Sequence, residues 1–308
     1  MDSLIKIEGK PIEKLIEVIS NGIGVLYKPR AIRKEADAKA YEIRVIERAK
    51  YEAMAEGKLI EADNIDRINE RLVAKEINRQ KNIDDVIEIA ANDLSQANIV
   101  SDGPVERDWI VRFFDIVQDV SDEEMKNLWG KILAGEVKTP KSYSLRTLEL
   151  LRNISKDEAD IFVKISQFVL QQNDHFIFNG NEDGINRHRI PYSDIAKMTE
   201  IGLIQSGTFV HIEYNSSQNE NNIVGIKYAN LIIILRIKAG VNKVSIPVYC
   251  LTTAGKELYK LIDVTPNLDY VKDIGKYIKN DTVSVEYGEI ISISDDGTIN
   301  YKEPTMII

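Results

Sequence analysis

One cysteine in 308 residues, Cys250, leaves no room for an internal disulfide, and a thiolate zinc ribbon is excluded with it. It sits in the apolar run PVYCLTTAG and reads as a small buried hydrophobe. Histidine is almost as scarce. His175, His188 and His211 are the only three, and none stands at a metal-ligand spacing, so no metal and no cofactor is expected. The phosphate and nucleophile motifs GxxxxGK[ST], GxGxxG and GxSxG are missing; Gly22 and Gly24 follow a helical stripe. Acidic pairs do occur, at Asp84 and Asp85, Asp122 to Glu124, and Asp295 and Asp296. A helix-start region, a cap and a turn explain them without acid–base chemistry. No catalytic residue is assigned, and a non-enzymatic protein is expected.

Long apolar runs are absent too. Nothing approaches the roughly 18 residues that a spanning helix needs, and MDSLIKIEGK lacks the basic and apolar segments of a secretory signal. A cytoplasmic protein is expected, with peripheral membrane attachment as the alternative. Cations are outnumbered, 40 Lys and Arg against 49 Asp and Glu, for a net charge of −9. A chain of that charge repels polyphosphate, so nucleic acid is not an expected partner.

What is present points to an α+β chain: a mainly helical N-terminal half with long helices, a winged-helix-like C-terminal half, and a small terminal β-hairpin. The regions read as 1–102 long-helical, 103–154 a helical junction, 155–265 winged-helix-like, and 266–308 a helix plus hairpin extension. The clearest stretch is Ser121 to Phe162. Ser121 with Glu124 forms a capping-box signature, and Met125, Leu128, Trp129, Ile132 and Leu133 recur at helical spacing up to Gly135. A second helix, carrying Leu145, Leu148 and Leu151, starts after Pro140 from Ser142 or Ser144. Ser155 with Glu158 caps a third. Trp109, Trp129, Leu133 and Leu148 are expected at the packed junction between the halves, with Trp109, Phe113 and Trp129 as core anchors.

Towards the N-terminus, Ile12, Leu15, Ile16, Ile19, Ile23 and Leu26 trace a helical stripe, and Lys28, Arg30, Arg33 and Lys34 follow it at once. Leu15, Ile16, Ile19, Ile23 and Leu26 with those four cations could face an anionic membrane surface or a protein partner. The competing reading docks the same helix on the protein's own core, since Glu13 and Glu17 weaken attraction to anionic lipid. From Pro29 to about Glu56 a narrow alanine-rich stripe suits close helix–helix contact. Lys28 to Lys50 holds eight cations against four anions, a mixture that fits a solvated helix face. Gly57 is expected to end that helix, and Asp63 or Asn64 to begin another through Ile65, Ile68, Leu72 and Ile77. SDGPVERD reads as a break and a hinge.

Beyond Asp174 the pattern changes to β-branched and aromatic runs separated by Asn, Gly and Ser clusters, which predict antiparallel strands. IPYSDIAKMTEIGLIQSG places a short helix from about Tyr192 to Thr199, and LTTAGKELYKLI another, capped by Thr252 or Thr253. The order is similar to a winged-helix domain. Its candidate recognition helix carries only Lys197 as a cation beside Asp194 and Glu200, which argues for protein contact over DNA reading. After a helix through Val271, Ile274 and Ile278, a DDG turn at Asp295 to Gly297 predicts a hairpin.

The block WGKILAGEVKTP…SYSLRTLELLRNIS, with KLIEVISNGIGVLYKPRAIRKEADAKAYEI near the start, resembles the bacterial family domain of unknown function 2806. That resemblance implies no established chemistry and lends no catalytic residues. Between Trp129 and Ile262 the chain is also similar, more loosely, to the abortive-infection alpha group, which implies a role in phage defence by analogy only. The expected function is an interaction or effector protein that works as a homo-oligomer or with a protein partner. A membrane-active effector and a winged-helix DNA-binding regulator are the alternatives.

Overall fold

A computed structural model describes residues 9–23, 45, 48, 50, 51, 54, 59–97, 99–180, 184–207, 210–294, 297–303 and 305–308; the side chains of residues 23 and 59–63 are left aside. The chain divides into two compact units, Met1–Leu148 and Glu149–Ile308. The first is helical, and the second is built on an antiparallel sheet, so the fold is α+β.

The helical unit comprises α1 (Lys10–Ile23), α2 (Leu59–Ser95), α3 (Arg107–Val117), α4 (Glu123–Lys138) and the start of α5 (Leu145–Asn153). The helix expected to begin at Asp63 or Asn64 begins earlier, at Leu59, and α2 runs to Ser95 as one helix of 37 residues. Neither Gly nor Pro occurs between Leu59 and Ser95, so nothing in the backbone interrupts it. At 1.5 Å per residue it spans about 55 Å. Only its C-terminal part is fully covered, through Ile83, Val86, Ile87, Ala90, Ala91 and Leu94.

Two glycines explain how closely the helices pack. A Cβ on Gly130 of α4 would lie 2.4 Å from Cγ2 of Ile89 on α2, and one on Gly22 of α1 would lie 2.4 Å from Cγ2 of Ile110 on α3. Glycine costs a helix about 1 kcal/mol against alanine, a loss offset here by contacts that a side chain would block. At the head of α4 the cap is Asp122, one residue later than expected: its carboxylate accepts from the Met125 amide at 3.0 Å, while Ser121 stays outside. SDGPVERD, read as a hinge, is pinned instead. The Ser101 amide donates to the Lys138 carbonyl at 2.9 Å, and Lys14 donates to the carbonyls of Gly103, at 2.7 Å, and Ser101.

The second unit runs α6 (Lys156–Ser166), β1 (Val169–Gln171), β2 (His175–Phe178), a short 3-10 helix (Gly184–His188), α7 (Tyr192–Glu200), β3 (Val210–Tyr214), β4 (Asn222–Tyr228), β5 (Leu231–Ile237), β6 (Val244–Cys250), α8 (Thr253–Tyr259), α9 (Leu268–Ile278), β7 (Val283–Ile293), β8 (Ile299–Tyr301) and β9 (Met306–Ile307). The strands form one antiparallel sheet in the order β3-β6-β2-β1-β4-β5-β7-β8, with β9 also on β7. Alternate burial along β6 marks a strand with one covered face, whereas β5 is buried almost throughout, as its LIIIL run requires. The expected terminal hairpin is β7–β8, which pairs Ile293 with Ile299; Asp295 and Asp296 of its turn lie outside the described residues.

Local signals hold in this unit. Ser155 and Glu158 make a full capping box on α6, and the Thr252 hydroxyl caps α8 by accepting from the Gly255 amide at 3.1 Å. Two buried tyrosines tie α9 and its approach to the sheet. The Tyr270 hydroxyl donates to the Phe168 carbonyl at 3.0 Å and accepts from the Phe178 amide at 2.8 Å. Tyr228 does the same between the Gln167 carbonyl, at 2.7 Å, and the Asn267 amide, at 3.0 Å. Burial pushes the Tyr228 hydroxyl up to about 12 and Tyr270 well above the usual phenol range, so both stay neutral donors.

Candidate interaction surface

The residues singled out near the N-terminus separate into two groups. Leu15 and Ile19 are buried in the helical unit, together with Ile12 and Val18, and Ile16 is half-buried. The neighbours of α1 are α2, α3 and α4, so its apolar face lies on the unit's own core. Leu26, Lys28, Arg30, Arg33 and Lys34, and the side chain of Ile23, lie outside the described residues. The four expected junction residues, Trp109, Trp129, Leu133 and Leu148, are all buried in the helical unit. Trp109 stacks on Phe113 with ring centroids 5.0 Å apart, and Phe113 meets Trp129 edge to face at 5.6 Å.

The N-terminal half of α2 is different. Ile68, Leu72 and Ile77 stay 49%, 38% and 49% exposed, although the sequence pattern reads them as an ordinary apolar helix face. Beside Ile68 and Leu72 runs a row of exposed cations, Arg67, Arg71 and Lys75, at four-residue spacing, which stacks them along one ridge. Exposed Glu70 and half-buried Asp66 form a second row, with Ile77 seven residues beyond Glu70 on the same side. Arg67, Glu70, Arg71 and Lys75 make no ion pair among the described residues, whereas Asp66 is bonded to Lys50 at 2.6 Å. Arg79, the next cation of the row, is taken up within the unit. It donates to both carboxylate oxygens of Asp119, at 2.9 and 3.2 Å, and to Glu76 at 3.1 Å. Those bonds, that to Asp119 foremost, hold its guanidinium above its ordinary value. The signal missed in the sequence is therefore the like-charge spacing of residues 67, 71 and 75, visible only once the helix is known to continue uncovered.

Several buried polar groups elsewhere are held by structural partners. Burial alone would push Lys126 down, but hydrogen bonds to Asp85 at 2.8 Å and Glu123 at 2.9 Å outweigh it and hold the ammonium above its ordinary value. Glu136 accepts from the amides of Lys141 and Tyr143 at 2.6 and 3.1 Å and so fixes the turn in which Lys141 takes a left-handed φ of 71°. In the sheet unit Asp273 accepts from His188 at 3.0 Å and from Arg187 at 3.1 Å, tying the 3-10 helix to α9. His211 lies on β3, while His175, at the start of β2, rests against the Tyr259 ring; burial and Lys256 lower its affinity for a proton. Cys250 is buried, which pushes its thiol up and away from the reactive thiolate. Among the described residues no group of three or more His, Cys, Asp or Glu is placed to hold a metal ion, and no helix is long and apolar enough to cross a membrane.

The family model for proteins of unknown function DUF2806 matches residues 66–275, more than half of the chain. The chain belongs to this family. The DUF2806 match takes in α2 from Asp66 onward, the bundle around Trp129, and the sheet unit as far as Gly275 in α9. Residues before 66, α1 among them, and β7 to β9 fall outside it. Neither the curated proteins nor the solved structures contain a match.

Proposed function

We propose that this protein is a non-enzymatic interaction protein that self-associates through the N-terminal half of α2. The observation that carries this reading is the exposure of Ile68 and Leu72 beside a ridge of Arg67, Arg71 and Lys75 that makes no ion pair among the described residues. A fully buried Leu or Ile is worth roughly 1.5–3 kcal/mol, so two half-exposed side chains leave a gain that only a further surface can collect. The winged-helix likeness enters as a protein-contact module in the sheet unit. Its helix α7 has one cation, Lys197, beside Asp194 and Glu200, a poor grip for phosphate. The loose abortive-infection resemblance adds phage defence as the setting in which such an assembly would act. For the membrane-active alternative, the described part of α1 offers no free apolar face.

Sedimentation velocity across a concentration series tests the reading. The wild type is expected to assemble, and a double variant Ile68→Lys, Leu72→Lys to sediment as a monomer with an unchanged circular dichroism spectrum. A wild type that stays monomeric throughout overturns the proposal.

A further inference from the structure

Two chemically opposite rows sit on the same exposed stretch of α2, and their placement round the helix limits the symmetry of any assembly. Successive residues turn by about 100°, so the row of Asp66 and Glu70 stands about 100° from that of Arg67 and Arg71 and about 160° from Ile68 and Leu72. The helix thus has a basic flank with two apolar side chains and an acidic flank with one, Ile77, and these are separate surfaces. A two-fold dimer joins one patch to the same patch of its partner. Through the basic flank it would set Arg67, Arg71 and Lys75 against their own copies, and through the acidic flank Glu70 against Glu70. Like charges held against one another across an interface cost several kcal/mol.

The opposite flanks suit each other. We infer that the basic flank of α2 in one copy lies on the acidic flank of α2 in the next, so that the assembly is head-to-tail. Such contacts leave one flank of each type open after two chains have joined, and the assembly therefore holds three or more chains, closed as a ring or continued as a filament. Glu70 supplies the free carboxylate, while Asp66, already bonded to Lys50 of its own chain, shares its charge. Ile77 gives Ile68 and Leu72 an apolar counterpart. This inference rests on the self-association reading above.

Two variants, each disabling one flank, separate the possibilities: Arg67→Gln, Arg71→Gln, Lys75→Gln on one side, and Glu70→Gln, Ile77→Ser on the other. In sedimentation velocity at about 0.1 M salt, where only near charges act on each other, the wild type is expected to form species of three or more chains. Each variant alone is expected to be monomeric, and an equimolar mixture to stop at one-to-one pairs, since it holds one intact flank of each kind. Unchanged thermal melts establish that the variants fold. A wild type that stops at two chains, a mixture that stays monomeric, or a single variant that assembles like the wild type overturns the head-to-tail arrangement. If a two-chain species is abolished by Ile68→Lys, Leu72→Lys, self-association stands and the head-to-tail order alone falls. A monomeric wild type removes both.

Discussion

Trp129 is fully buried with its ring edge-on to Phe113, yet its indole N–H has no hydrogen-bond partner among the described residues. Trp109, in the same cluster by way of Phe113, instead donates its N–H to the Tyr143 carbonyl at 2.8 Å. The two indoles therefore contribute differently. Trp109 both packs and anchors the turn before α5, whereas Trp129 stabilises by volume alone and carries the cost of a desolvated donor. Trp129→Ala is expected to lower the unfolding free energy by about 3–5 kcal/mol, as large-to-small core changes do. Trp129→Phe should cost less, because the atom it removes had nothing to bond. Urea unfolding of the two variants checks this, and a near-neutral Trp129→Ala would mean that the core closes over the gap.

At the scale of elements, the β4–β5 hairpin shows a conflict between residue and turn. Tyr228 pairs with Leu231, which leaves Ala229 and Asn230 as a two-residue loop, and Ala229 has a φ of +51°. Hairpin turns with a positive φ at the first central position favour glycine there, and a left-handed alanine is strained by about 1–2 kcal/mol. Glycine's greater freedom in the unfolded chain returns part of that, so Ala229→Gly is expected to stabilise the protein by about 0.5–1 kcal/mol, seen as a higher urea midpoint. A lower midpoint would place the turn in another conformation. The same hairpin shows what a sequence makes legible. IVGIKY and LIIILRI announce strands through β-branched residues, and Ser155 and Thr252 announce helices through caps, because these signals act within a few residues. The start of α2 at Leu59 was hidden by reading Asp63 or Asn64 as its cap, when the absence of Gly and Pro after Leu59 outweighs a weak cap. Which part of α2 would be covered was not written locally at all. Ile68 and Leu72 follow the same spacing as Val86 and Ala90, and the packing of α1, α3 and α4 on α2 distinguishes them.

For the whole molecule, a net charge of −9 opposes assembly, since every copy repels every other. The proposed contact between α2 flanks acts over ion-pair distances, whereas the general repulsion acts across whole molecules. Salt separates the two by range. The Debye length falls from about 30 Å at 0.01 M to about 10 Å at 0.1 M, which removes most long-range repulsion but leaves close pairs attracted. By 1 M it is about 3 Å, and exposed pairs such as Glu70 with Arg71 or Lys75 of a neighbour are screened as well. Assembly followed by sedimentation is therefore expected to strengthen between about 0.01 and 0.1 M sodium chloride and to weaken towards 1 M. A contact made by apolar side chains alone would keep strengthening over the whole range, because screening would relieve repulsion and remove no attraction. A maximum at intermediate salt that disappears in the Arg67→Gln, Arg71→Gln, Lys75→Gln variant would assign the attraction to the basic flank of α2.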